Sequence, residues 1–496
     1  MTEEDRRLFD RALTRREAIL HGGTGIALLC SFDQLAVKSR PNPKKTAASR
    51  RRELTGLFDP FKRDLPRPAV AEPVSTANGV DRYEITMQEG TAEILEGLET
   101  PIRGYDGMFP GPTIRARKGR PVVVKQTNEL DHETIVHLHG GAQEEESDGA
   151  LHRYWIQPGD DYTYTYWNQQ DQATLWYHDH IHGRTGEHVF AGLAGFYILS
   201  DELDEKLGLP RGQYDVPLVI QDRAFNSDGS FRYVRSVEPG MHADTILVNG
   251  AIVPRMAVKR RIYRFRLLNG SNARCYQLQL GNGREMFQIA SDGGLLPKPI
   301  KRTQIPLVPG QRVEILIDFR KYAPGSKLIL RNKLGDATTS AVMRFDVTKG
   351  GGREQARIPK KLRPAETIPS ASKVRAFELT FEATPTPRWL INGKEYDENR
   401  VDADPKLGTT EYWRFINNSD HQHPMHLHAC HFRVIEVNGT RPHPADQHWR
   451  DTVSVPARGH VTIQPYFKDY AGEFVFHCHT LEHEDQSMMG SLVVAE

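Results

Sequence analysis

Cysteine is scarce in this chain of 496 residues: Cys30, Cys275, Cys430 and Cys478 are the whole complement. So few thiols exclude a disulfide-built scaffold, and if Cys478 binds a metal, at most one disulfide can form among the remaining three. Charge of one sign is lacking too. Lys plus Arg number 65 against 64 Asp plus Glu, so no basic field argues for a nucleic-acid partner. No apolar run reaches the roughly eighteen residues that a membrane helix needs. Methionine is sparse as well, 10 in all, with no Met-rich insertion.

What is present is short runs of Val, Ile, Thr and aromatics broken by 41 Gly and 31 Pro. That punctuation predicts many short strands joined by turns. At about 100 to 200 residues per domain the length allows two to four domains. Residues 76–205 carry strand-like runs at 121–126, 163–167 and 194–199, as in a β-sandwich. Residues 206–350 repeat the texture at 216–221, 261–268 and 312–319 but hold a single histidine, His242, so any metal chemistry lies elsewhere and this part reads as a spacer or wall. A stretch low in apolar residues, 351–373, reads as a linker, and a third β region fills 374–496. Three sandwiches of similar size are the expected repeat. Ahead of them, residues 1–75 combine an export signal-like segment with a basic, Pro-rich arm. The run Thr14-Arg15-Arg16-Glu17-Ala18-Ile19-Leu20 and the uncharged stretch after it resemble a twin-arginine signal. They depart from it at Ala18 and in lacking a small-x-small cleavage site. The expected location is the periplasm, the cell surface or the medium, with the cytoplasm as the alternative.

The stretch 473–489, EFVFHCHTLEHEDQSMM, organises the rest. On a strand, side chains alternate between faces, so His477 and His479 point one way while Cys478 points the other with Phe474 and Phe476. Cys478 is thereby placed to join His483 and Met488, and a thiolate with imidazoles and a weak axial thioether is the ligand set of an electron-transfer copper. A lone His-x-His is more often a surface or hydrogen-bonded core pair, but here partners exist. His137 and His139, His178 and His180, and His426 and His428 show the same i, i+2 spacing, while His423 precedes the last pair beyond a proline. Giving His423 and His483 to the Cys478 and Met488 site leaves eight histidines in four same-face pairs. Eight imidazoles are too many for one metal and suit three coppers with three, three and two ligands. Two pairs come from the first domain and two from the third, which places the cluster between them.

Over residues 75–496 the chain resembles the multicopper oxidase family, and within it the bacterial spore-coat laccase, bilirubin oxidase and phenoxazinone synthase group. The residues that carry the resemblance are YDGMFPGPT at 105–113, HLHGG at 137–141 and HEDQSMM at 483–489, together with the four histidine motifs. The resemblance implies an all-β chain of three cupredoxin-like Greek-key domains, sandwich or barrel, and four copper ions. His423, Cys478, His483 and Met488 would hold the type 1 copper, His137 and His426 type 2. His139, His178, His180, His428, His477 and His479 would hold the type 3 pair. It further implies one-electron oxidation of a phenol, aromatic amine or tetrapyrrole, with dioxygen reduced to water; the sequence does not fix the oligomeric state, and a monomer is the expectation. That reduction consumes protons, and Asp148 and Glu484, which follow the first and last motifs, are the candidate acids. One alternative is a metallo-oxidase of Cu(I) or Fe(II), for which the acidic run 144–146 is short and sits by the wrong motif. The other is a copper-binding surface protein without turnover, against which the complete ligand set argues. A nitrite reductase fits less well, because both histidines flanking Cys478 belong to a coupled pair.

Overall fold

The computed structural model describes residues 59–350 and 356–496. The Arg15-Arg16 motif and Cys30 lie outside these residues.

Three two-sheet units follow one another. In the first, Asp81–Ala92 alternates buried and exposed positions, with Tyr83, Ile85 and Met87 turned inward, the signature of a strand with one face on the core. It pairs in parallel with Val122–Asn128 in a four-stranded sheet. A second four-stranded sheet holds Gly111–Arg117, Ala194–Ser200, Ala173–Asp179 and Val136–His139 side by side. Tyr83, Val124 and Tyr164 of one sheet meet Leu175, Tyr177 and Tyr197 of the other in a single apolar core. The same parallel crossover recurs in the middle unit, between Asp215–Arg223 and Ile262–Asn269, and in the last, between Ala371–Glu382 and Thr409–Asn417. Each unit has its own core.

The last unit's first strand begins at Ala371, inside the stretch read as linker. Ala371 is buried with Tyr412 and pairs with Thr410, a long-range partnership that local composition does not carry. The arm ahead of the first unit turns at residues 60–61, with Phe61 at φ +65°, before running on toward the first unit. It bonds to the middle unit through Phe61 N–H to Val253 O and Leu65 N–H to Arg255 O, and to the first through Ala71 N–H to Thr113 O.

The first and middle units meet through Trp176, Phe196 and Ile198 against Val219 and Leu268, beside a buried ionic network. Glu314 accepts from Arg264 Nε (2.7 Å), Arg266 Nη1 (2.9 Å) and, across the junction, Gln172 Nε2 (2.9 Å) and Thr174 Oγ1 (2.8 Å). The first and last units meet through Leu151 against Val475 and Met489. Cys275, Cys430 and Cys478 are all buried.

Candidate metal centre

Strand register assembles the histidines. Val136–His139 pairs antiparallel with Ala173–Asp179 so that His137 faces His178, and His423–Leu427 pairs with Gly472–Cys478 so that His426 faces His477. Both of the first unit's strands are buried along their whole length, because the last unit covers the face that would otherwise meet solvent. Across the junction His139 stacks on His426 (3.7 Å between centroids, 11°) and His137 on His428 (3.9 Å, 25°). All eight cluster imidazoles are buried.

The outer nitrogens settle what the inner ones are. The Nδ1–H groups of His137, His426 and His178 donate to the carbonyls of Asp148 (2.6 Å), Asp451 (2.8 Å) and Asp179 (2.8 Å). A carbonyl only accepts, so each neutral ring carries its proton on Nδ1 and turns a bare Nε2 lone pair inward. His137 Nε2 and His426 Nε2 face each other at 3.5 Å. The Nε2 atom of His477 stands 3.1 Å from that of His180 and 3.2 Å from that of His428. His139 Nδ1, His178 Nε2 and His479 Nε2 are buried with no hydrogen-bond partner among the described residues, and the His479 ring lies 4.9 Å from His139 and 5.5 Å from His178. Buried lone pairs aimed at one another repel unless a cation lies between them. The donor set therefore fits metal ions: the inward atoms of His180, His428 and His477 lie together, as do those of His137 with His426 and His428 and of His137 with His139 and His178, and the His479 ring lies beside the last of these groups.

On the opposite face of the same strand, Cys478 Sγ stands 3.5 Å from His423 Nδ1 and 3.6 Å from His483 Nδ1, and the two nitrogens are 3.2 Å apart. Ser419 Oγ sits 2.9 Å from His423 Nε2, which leaves Nδ1 to face the sulfur. Met488 is fully buried in the apolar cluster that contains Cys478. Burial drives the imidazoles toward neutrality, His423 and His479 to about 3, and pushes the Cys478 thiol up to about 12. A metal binding there would displace that proton.

A family model described as multicopper oxidase matches residues 86–204, and a second of the same description matches 367–496. The chain is 36% identical to a laccase of Bacillus subtilis (strain 168) over 88% of its own length and 99% of that protein. The chain belongs to the multicopper oxidases. It is also 31% identical to a bilirubin oxidase of Albifimbria verrucaria, over 95% of this chain and 88% of that one. The crystal structure of a laccase from Pediococcus acidilactici superposes with a TM-score of 0.80 at 31% identity, covering 88% of this chain and 96% of that chain. The three units are accordingly cupredoxin-like sandwiches, and the family implies four coppers, one of type 1, one of type 2 and a type 3 pair.

In this multicopper oxidase the two acids read from the sequence lie against the cluster. Asp148 Oδ2 is 2.7 Å from His428 Nδ1, and its Oδ1 accepts from Gln143 Nε2 (3.2 Å); burial pushes its carboxyl up to about 8. Glu484 sits between His477 Nδ1 (3.1 Å) and His180 Nδ1 (3.5 Å) and accepts from Thr185 Oγ1 (2.8 Å). Burial alone would raise its carboxyl, but His180 and His477 hold it well below the usual carboxylate range.

Several residues that touch the ligands escaped the reading of the sequence. Trp176 stacks on His178 (4.1 Å, 27°), and its i, i+2 spacing in the same strand was the available signal. Trp389 stacks against His483 (4.3 Å, 31°), and Asp451, Arg312 and Gly310 reach the cluster from positions that no local pattern marks.

Proposed function

We propose that the chain takes electrons one at a time from phenolic, aromatic-amine or tetrapyrrole reductants at the edge formed by His483, and delivers them to dioxygen bound among the eight clustered histidines. The observation that carries this is Cys478 itself: its thiol faces His423 and His483, while its chain neighbours His477 and His479 face the cluster. A few covalent bonds of one strand join the two sites. Bound copper would supply the electron-accepting centre beside Cys478 and the oxygen-reducing centre among the histidines. In this reading His423, Cys478, His483 and Met488 hold type 1, His137 and His426 hold type 2, and the other six imidazoles hold the type 3 pair. Burial excludes water from both centres. Asp148 at His428 Nδ1 and Glu484 between His180 and His477 are placed to hand on the protons that the forming waters take up. A relative named for laccase and one named for bilirubin oxidase support an organic reductant.

The wall of the electron-entry side comes from the middle unit. Trp389 Nε1 donates to Val237 O (2.7 Å), Tyr233 OH donates to Glu482 (3.1 Å), Met241 N–H donates to Glu482 (2.9 Å), and His421 pairs with Glu238 (2.9 Å). This fastened segment carries the exposed Val234, an apolar contact suited to an aromatic molecule. Oxygen uptake with a phenolic dye, run beside Fe(II), tests the reading. The dye should be consumed at four equivalents per dioxygen, and consumption of Fe(II) alone would overturn it. Cys478→Ser should lose both the blue thiolate-to-copper band and oxygen uptake while remaining folded; a blue variant would refute the type 1 assignment.

The Arg15-Arg16 run supports export by the twin-arginine route. Replacing both arginines with lysine should hold the protein in the cytoplasm, and an unchanged distribution on fractionation would count against that route.

A further inference from the structure

Two aspartates grip the cluster in the same crossed manner. Asp148, from the first unit, takes His137 on its main-chain carbonyl and His428 on its carboxyl group. Asp451, from the last unit, takes His426 on its carbonyl (2.8 Å) and His139 on its carboxylate, His139 Nε2 lying 3.0 Å from Asp451 Oδ1. Each aspartate thus holds both rings of one stacked pair, one ring from each unit. The pairs differ in what they present. His426 turns Nε2 inward, whereas His139 donates its Nε2–H outward and leaves Nδ1 as the partnerless inner atom.

The symmetry breaks one layer further out. Asp148 has only the Gln143 amide on its free oxygen (3.2 Å). Asp451 is clamped from two sides by Arg312, whose Nη1 donates to Oδ1 (2.8 Å) and whose Nη2 donates to Oδ2. Arg312 belongs to the middle unit, which supplies no ligand. It is fully buried and is itself held, Nε donating to Thr174 O of the first unit (3.0 Å) and Nη1 to Gly310 O (2.9 Å). A side chain on Gly140, next to His139, would collide with both Arg312 Nη2 and Asp451 Oδ2, so the HLHGG motif keeps room for this ion pair.

We propose that Arg312 is a positioning residue of the trinuclear site: by fixing Asp451 with two donors it sets the tautomer and tilt of His139, so that Nδ1 is the atom offered to copper. A bidentate guanidinium saturates the outer side of the carboxylate and leaves it an oriented acceptor for the ring. Partners of this kind behind a ligand imidazole govern both its basicity and its direction. Asparagine at 451 cannot do the same work, since its amide N–H must face either Arg312 or His139 Nε2, both donors. At 148 the corresponding N–H can face a turned Gln143 side-chain oxygen instead, at the loss of the Gln143 Nε2 bond to Leu138 O.

The inference rests on the four-copper reading, so the unaltered protein is measured first. Four coppers per chain with a blue band are required, and a protein without them refutes the reading and this role with it. Given that result, Arg312→Met and Asp451→Asn should keep the blue band and change the electron paramagnetic resonance signature of the cluster copper. Both should also retain cluster copper about ten- to hundredfold less tightly against a chelator. Arg312→Lys, which keeps charge and stem but not the fork, should fall between, and it answers the question if Arg312→Met does not fold. A purely structural role would lower the unfolding temperature of the copper-free protein and leave the loaded protein's copper content, spectrum and release rate unchanged. That pattern in Asp451→Asn and in a folded Arg312 variant overturns the proposal.

Discussion

Gly310 offers the most direct perturbation of the cluster that replaces no ligand. Its φ is +80°, and a methyl group on it would lie 2.9 Å from His479 Cδ2 and 3.0 Å from both His139 Cε1 and His479 Nε2. Carbon contacts settle at about 3.5 to 4.0 Å, so Gly310→Ala requires the two rings or the loop to yield by about half an ångström. Neither ring is free to give. His139 is held by Asp451 and stacked on His426, and the His479 ring is wedged between His139 and Trp176 on a main chain bonded to Pro424 O (2.6 Å). Left-handed backbone costs a residue with a Cβ roughly 1 to 2 kcal/mol, and overpacking adds about 1 to 3 kcal/mol. The copper-free protein should therefore lose about 2 to 5 kcal/mol. The loaded protein should suffer more selectively, since metal–ligand distances tolerate only about 0.2 Å. We expect a blue protein that is reduced normally by substrate, binds fewer than four coppers and takes up little oxygen. Unfolding curves, copper analysis and an oxygen electrode read the three effects. A Gly310→Ala protein with unchanged unfolding, four coppers and undiminished uptake would refute the packing argument.

Other expectations separate the parts of the machine. Met488→Leu removes a weak axial thioether and should raise the type 1 reduction potential; a redox titration showing no rise would mean that Met488 is not axial. Asp148→Asn and Glu484→Gln should leave the blue band and its bleaching by substrate intact while reoxidation by oxygen slows about a hundredfold, the low end for loss of a general acid or base. Return of the blue band at the parent rate in both, followed by stopped flow, would make the two acids structural. Glu314→Leu strips Arg264 and Arg266 of a shared buried partner and should cost about 3 to 5 kcal/mol of stability with no change in colour. An unaltered denaturation midpoint would show that the network contributes nothing at that junction.

The parts of the site that were legible in the sequence are those that short-range geometry controls. The alternation at 477–479 gives each side chain a direction, and the strand Gly472–Cys478 delivers it, with His479 one residue past its end. Four His-x-His pairs count out a cluster because spacing of two on a strand needs no knowledge of the rest of the chain. The contributions of the middle unit were illegible for the same reason. Arg312 meets Asp451 across 139 positions, and Gly310 touches rings from both flanking units, so the proximity exists only after three sandwiches have docked. A histidine census marks that unit as empty, since Arg and Gly carry no metal signature. The boundary near Ala371 shows the same limit. Composition says linker, while a strand neighbour from farther along the chain says sheet.

The pairing of His426 with His477, and of Cys478 with Met425, has a consequence for how the protein is made. In the proposed assignment every copper site except the His137 and His426 pair draws a ligand from 477–488, the last of the ligand-bearing segments to leave the ribosome. Until that strand joins the final sheet, the first unit displays four imidazoles without the partners that 477–479 brings across the junction. A nascent chain can thus hold stray copper but cannot assemble the cluster, and loading becomes an event that follows completion of the fold. Colour then reports a folded last unit.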